Sequence, residues 1–378
     1  MRPRALPQLL ILGLSIACGS KESGPAAGPP PSTPASAPSI AQAAASTTVP
    51  LPPPFVPTRV WREGKAMGTH LAFAGYTNPQ ADEAAVQAAF EAAIHEFERI
   101  ELMMTTWRTD SELSQVNASA GKAPVPVSDE TRFVIEESLR ASQKSEGTFD
   151  ITFETLHGLW KFDEDLDPHP PKPADITKRL KHVGYAHVKV DAAKRTVFLD
   201  DPQTRISLGG IAKGYAVDQA ARVIEKAGVT SFFVQAGGDL FARGKKPDGA
   251  EWSSGIRDPR GPANKYFAVL PISDHAFSTA GDYERSYVVG NKRYHHIIDP
   301  RTGYPATACR SVTIWAKSAL LADAIDDAVF ILGPRKGMDL VESLEDVGAV
   351  IVDAKNNLWV SKRLQGKLVV TGAPTDGI

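Results

Sequence analysis

The segment Ser207-Leu208-Gly209-Gly210-Ile211-Ala212-Lys213-Gly214-Tyr215 reads as a short strand, a glycine pair and the first turn of a helix. The strand is expected at 206–208 and the helix at 212–227, with Gly228 placed as its C-terminal stop. A strand at 232–235 then runs into a second Gly-Gly turn, Gly237-Gly238. Downstream, β-rich runs predict strands at 267–272, 286–289, 312–315 and 349–352, and an apolar stretch predicts a helix at 318–332. Upstream, residues 81–104 repeat Ala85, Ala89, Ala92, Ile94, Phe97 and Ile100 at helical spacing. A second helix is expected at 131–145, ended by Gly147, and a hairpin of strands at 188–199. Strands and helices are mixed without strict alternation, which predicts an α+β fold with mixed or antiparallel sheets rather than a doubly wound sheet.

The glycine pair also has a chemical reading. Gly209-Gly210 lets a ligand approach the backbone closely, and the following helix start offers free N–H groups and the positive end of its dipole to a phosphate. Lys213 adds a charge. The spacing fits neither a P-loop nor a dinucleotide fingerprint, and a tight turn that merely starts a helix is the competing reading. In Ala322-Asp323-Ala324-Ile325-Asp326-Asp327-Ala328, Asp323 and Asp327 are four apart and share a helix face. Oxygen donors without Cys or His nearby suit Mg²⁺ or Ca²⁺, and a solvated acidic face is the alternative. That alternative is weakened by the apolar residues around them. His296, in Tyr294-His295-His296-Ile297-Ile298-Asp299-Pro300, is a candidate base or phosphate contact, or a structural histidine beside a strand. Trp107 and Phe149 are rings of a size to cover a flavin or adenine, with a core role as the default.

The chain of 378 residues is long enough for one large domain or two, and its net charge of -2 favours neither nucleic acid nor an anionic membrane surface. Two cysteines, Cys18 and Cys309, exclude a disulfide framework and a Cys-based zinc site. Arg2 and Arg4 precede the apolar run 9–16, and Ser15-Ile16-Ala17-Cys18 is similar to a bacterial lipobox. Residues 1–18 are therefore expected to be a signal peptide whose Cys18 becomes lipidated, with plain cleavage near Ala17 as the alternative. Residues 19–56 are rich in Pro, Ala, Ser and Gly and read as an extended tether, leaving 57–378 as the folded domain. The chain is thus expected to be exported and anchored to a bacterial membrane, facing the periplasm or exterior.

Taken together, the motifs resemble the ApbE family of FAD:protein FMN transferases. The likeness rests on Met67-Gly68-Thr69, Asp110-Ser111-Glu112-Leu113-Ser114, Gly147-Thr148-Phe149-Asp150, residues 208–215, Gln235-Ala236-Gly237-Gly238-Asp239, Ser278-Thr279-Ala280-Gly281-Asp282-Tyr283, residues 296–303 and Ala322-Asp323, in that order. It implies a T-fold-like architecture with the flavin in a cleft. It implies FAD contacts at Met67, Trp107, Thr148, Phe149, Asp150, Ser207, Lys213 and Ile298, and Mg²⁺ held by the main-chain oxygen of Gly210 with Asp323 and Asp327. Family members often carry Asp where Ser207 stands and Thr where Asp327 stands. The implied reaction joins the FMN half of FAD to a Thr or Ser of a target protein and releases AMP. His296 is the candidate base and Asp282 the reserve. The acceptor is expected to be another exported chain, since no convincing copy of the family's acceptor motif occurs here. Hydrolysis of FAD to FMN and AMP, or flavin binding without turnover, are the alternatives.

Overall fold

The computed structural model describes residues 54–162 and 165–377. The expected signal peptide and most of the expected linker lie outside the described residues. An eight-stranded antiparallel sheet forms the centre, in the order Arg59–Ala66, Thr69–Tyr76, Phe232–Ala236, Asp239–Arg243, His275–Gly281, Cys309–Ala316, Gly348–Asp353, Leu358–Val360. Seven α-helices accompany it among the described residues: α1 (Glu83–Met104), α2 (Glu112–Ala118), α3 (Asp129–Lys144), α4 (Pro173–Leu180), α5 (Ala212–Lys226), α6 (Ala319–Leu332) and α7 (Pro334–Ser343). No helix among the described residues is long and apolar enough to cross a membrane.

The sheet is covered on both faces, and its side-chain alternation shows it. Phe73, Val234, Val312, Ile314 and Ile351 join one core with Phe90, Phe97, Val217, Ile224, Ile325 and Val329 of α1, α5 and α6. Ala74, Ala242, Phe277, Trp315, Val350 and Val352 point the other way. There they meet Trp252, Ile256, Phe267 and Leu270 of a three-stranded sheet, Trp252–Arg257, Tyr266–Ile272 and Val369–Val370. Strands Cys309–Ala316 and Gly348–Asp353 are consequently buried at every residue, Arg310, Ser311 and Thr313 included. Each large side chain fully withdrawn from water contributes roughly 1.5–3 kcal/mol.

The expected helices and the expected hairpin form with boundaries within two residues of the reading, and the fold is α+β with antiparallel sheets. The expected strand at 206–208 does not form. That segment is held instead by side chains: the Asn117 amide donates to Ile206 O and accepts from Ile206 N–H, both at 2.8 Å. Thr155 Oγ1 likewise accepts from Arg205 N–H at 2.9 Å. These bonds replace a ladder and leave the chain extended up to the glycine pair.

Candidate functional site

The first turn of α5 packs tightly on α6. Gly214 makes this approach possible, because a Cβ there would lie 2.2 Å from Ala319 O and 2.8 Å from the Asp323 Cβ. At the same contact Gly214 N–H donates to Asp323 Oδ2 at 2.9 Å. α5 begins at Ile211 with no side-chain cap, so the buried Asp323 carboxylate, supplied by another helix, sits at its positive end. Asp218, one turn further along α5, accepts hydrogen bonds from Ala319 N–H (2.8 Å) and Leu320 N–H (3.1 Å) and so caps α6 in return.

Lys213 extends from this turn into a cluster of buried carboxylates. Its Nζ lies 3.0 Å from Asp323 Oδ1 and 2.9 Å from Asp239 Oδ2. Burial alone would lower the ammonium's pKa, but Asp239 and Asp323 more than offset this and hold it above the ordinary lysine value. Carboxylate oxygens of Asp239, Asp323 and Asp326 lie within 4.8 Å of one another. The Ser278 hydroxyl stands between two of them, 2.5 Å from Asp239 Oδ1 and 2.6 Å from Asp326 Oδ2. One hydroxyl proton serves one acceptor, so the second contact requires a proton on a carboxyl. Burial first, then Asp327 and Asp323, push the Asp326 carboxyl's pKa well up. Burial likewise raises Asp323 and Asp327, with Lys213 opposing it in both cases.

The glycine pair borders this cluster. A Cβ on Gly210 would lie 3.3 Å from Asp327 Oδ2 and 3.3 Å from the Phe149 ring, so Gly210, Phe149 and Asp327 lie close together and a larger residue would crowd them. Thr148 Oγ1 lies 2.9 Å from Ser145 O and 3.3 Å from Ala328 O, which ties the Phe149 loop to α6. Ser207 sits beside the turn, its Oγ accepting from Gly209 N–H at 3.2 Å. The donors gathered here are oxygens, with no Cys or His among them, and they fit a hard divalent cation.

Other expected site residues fall as follows. Met67 adopts φ 51° in the turn between the first two strands, with its N–H donating to Glu101 Oε2 at 2.8 Å. That turn adjoins the second glycine turn, where Gly237 N–H donates to His70 O at 3.1 Å. His296 N–H donates to Arg285 O at 3.1 Å, and its Nδ1 is buried with no hydrogen-bond partner among the described residues. Burial, with Arg285, His295 and Lys213 adding to it, pushes the imidazole down to about 3, so it is neutral and its lone pair is available. Ile298 is half-buried in the short pair Ile298–Asp299 and Tyr304–Pro305. Trp107 is 82% exposed, packing edge-on to His157.

Asp150 also braces its own loop: Oδ1 accepts from Thr152 N–H and Oγ1 (2.8 and 2.6 Å), Oδ2 from Tyr185 N–H (2.7 Å). Asp282, the reserve base, is held by Arg260 through two bonds of 2.6 and 2.7 Å, one to each oxygen. The sequence reading also passed over Asp239, Ser278 and Asp326 as site residues. The pairing of Leu240 with Phe277 brings Asp239 and Ser278 side by side at the same end of the sheet, a meeting with no local sequence pattern.

Fold and site together define an α+β enzyme built around a buried pocket of carboxylates, a lysine and a glycine turn. Comparison with known proteins sharpens this. The model of the ApbE family matches residues 67–351. An FAD:protein FMN transferase of Klebsiella pneumoniae is 34% identical over 300 residues, covering 78% of this chain and 84% of that one. One of Treponema pallidum is 34% identical over 283 residues, covering 71% and 78%. Among solved structures, the ApbE protein of Thermotoga maritima superposes with a TM-score of 0.74 at 30% identity, covering 82% of this chain and 99% of that one. The flavin transferase ApbE of Vibrio cholerae superposes with a TM-score of 0.72 at 28% identity, covering 82% and 100%. The chain belongs to the ApbE family.

Proposed function

We propose that this chain is an FAD:protein FMN transferase, which joins FMN through a phosphoester to a Thr or Ser hydroxyl of an acceptor protein and releases AMP. The observation that carries the reading is the meeting of Lys213, the Gly209-Gly210 turn and the carboxylates of α6 in one buried pocket, in a family whose curated relatives bear that name. The hydroxyl oxygen of the acceptor attacks the phosphorus on the FMN side of the pyrophosphate. The bond from that phosphorus to the bridging oxygen breaks, and AMP leaves with the oxygen. His296, with Nδ1 unpartnered among the described residues, is the candidate to take the hydroxyl proton, and phosphate charge beside it would raise the imidazole from about 3 toward the range a base needs. Lys213 and the start of α5 supply positive charge near the phosphates. Mg²⁺, held by Asp323, Asp327 and the main-chain oxygen of Gly210, would neutralise pyrophosphate charge and ease departure of AMP. Met67, Trp107, Phe149, Ser207 and Ile298 are the proposed flavin contacts, with Thr148 and Asp150 fixing the loop that presents Phe149.

The leader and tether extend the proposal to location: Cys18 is lipidated and the domain works outside the cytoplasm, where an exported acceptor meets it. The test uses the domain from residue 57 onward with FAD, Mg²⁺ and a peptide bearing the family's acceptor motif. Peptide gaining the mass of FMN, with AMP in equal amount, supports the reading. AMP with free FMN and unchanged peptide makes the chain a hydrolase. FAD bound without either product makes it a flavin carrier.

A further inference from the structure

The family match ends at residue 351, yet the chain continues to a segment that reaches back toward the site. Strand Val369–Val370 adds to Tyr266–Ile272, and Thr375 then docks on the buried carboxylate of Asp258. Thr375 Oγ1 donates to Asp258 Oδ2 at 2.6 Å, and Thr375 N–H donates to the same carboxylate at 3.0 and 3.1 Å. Asp258 Oδ1 also accepts from Arg260 N–H at 3.1 Å, so one carboxylate both holds the segment and shapes the turn presenting Arg260. The Arg260 guanidinium grips Asp282 through the two short bonds given above. Asp282 N–H donates to Arg310 O at 3.0 Å, and the Arg310 guanidinium reaches Asp376 at 2.9 Å, next to Thr375. The chain of contacts closes into a ring.

The ring is costly to open. Asp258, Asp282 and Arg310 are buried, and an ion in such a place strands its neighbour if one partner is removed. Its position matters as well. Asp282 directly follows the strand His275–Gly281, which carries Ser278. From there the chain enters the hairpin Ser286–Val289 and Lys292–His295, and His296 comes at its end, bonded back to Arg285. Among the described residues the two strands of that hairpin pair only with each other; its body stacks Tyr287 and Tyr294 on Phe162 and Trp160, and its base, where Asp282 sits, sets the direction in which it leaves the sheet.

We propose that Thr375, acting through Asp258 and the Arg260–Asp282 pair, is a positioning residue for His296, and that the segment 369–377 is thereby a working part of the active site. The proposal rests on the transferase reading for its effect on rate, and on geometry alone for its effect on the hairpin. The experiment compares the full chain with Thr375→Ala, Thr375→Ser and Asp376→Ala. Amide hydrogen exchange over residues 286–296 is measured alongside kcat for FMN transfer and KM for FAD. Thr375→Ala is expected to speed exchange in the hairpin and lower kcat about tenfold with KM for FAD within about twofold. Thr375→Ser should restore both. Asp376→Ala, which removes a largely exposed partner, should move both in the same direction by less, and it stands in if Thr375→Ala does not fold. Unchanged hairpin exchange and unchanged kcat in folded variants, whatever their melting temperatures, overturn the proposal. Failure of the transferase reading is recognised separately, as absence of transfer by the wild-type chain. The hairpin exchange then decides the positioning claim by itself.

Discussion

Lys213 Nζ lies 3.0 Å from Asp323 Oδ1, and this contact joins the glycine turn at the start of α5 to the acidic helix α6. Asp323 is buried and Lys213 half-buried, and Asp239 stands on the other side of the ammonium at 2.9 Å. One cation therefore balances a cluster of carboxylates that would otherwise repel. Replacing Lys213 by Ala leaves Asp239 and Asp323 without that charge. The expected loss of stability at pH 7 is about 3–5 kcal/mol. Added Mg²⁺ should recover more of the melting temperature in the variant than it adds to the wild type. Thermal melts with EDTA and with Mg²⁺ check this, and a Lys213→Ala chain that melts like the wild type counts against it.

Gly214 is the point of nearest approach between α5 and α6. A methyl group there would press on Ala319 O at 2.2 Å and on Asp323 Cβ at 2.8 Å, both on α6. Gly214→Ala should cost about 3 kcal/mol and reduce transfer, because relief of the clash moves the carboxylates. Gly228→Ala is the control. It meets nothing within 4 Å and bears only the strain of φ 85°, about 1 kcal/mol, with activity retained. Denaturant melts and transfer assays on the two variants separate a packing effect from a backbone one.

Asp218 gives the molecule a defined pH response. Burial pushes its carboxyl up to about 6, against the pull of the two α6 N–H groups it accepts. An acid whose folded pKa exceeds its unfolded value of about 3.9 binds more protons folded than unfolded between those values, so stability falls as pH rises across that window. Asp218→Asn has no such titration. The difference in unfolding free energy, wild type minus Asp218→Asn, should therefore fall by up to about 3 kcal/mol between pH 4 and 6 and stay level above that. A difference that rises over this range would show that the hydrogen bonds outweigh burial.

Much of this fold was legible in the sequence because its elements carry their own signals. α1 repeats apolar residues at helical spacing, Gly228 with φ 85° stands just past the end of α5, and Val312-Thr313-Ile314-Trp315 is rich in β-forming residues. The segment before the glycine pair was misread because its hydrogen bonds come from Asn117 and Thr155, distant side chains with no local pattern. The same reason hid half of the pocket. Asp323 and Asp327 announce themselves by helical spacing, but Asp239 and Ser278 meet them only through strand pairing and the packing of α6 on the sheet. Asp282 carried no mark of its Arg260 partner, which is supplied by a separate turn 22 residues away.

If attack of an acceptor hydroxyl on FAD takes place beside these carboxylates with His296 taking the proton, removing the imidazole should block transfer without blocking binding. Wild type and His296→Ala are compared for FAD affinity and for the mass of an acceptor peptide incubated with FAD and Mg²⁺. His296→Ala should bind FAD within about threefold of wild type while FMN transfer falls at least a hundredfold. Transfer at the wild-type rate by His296→Ala would contradict it.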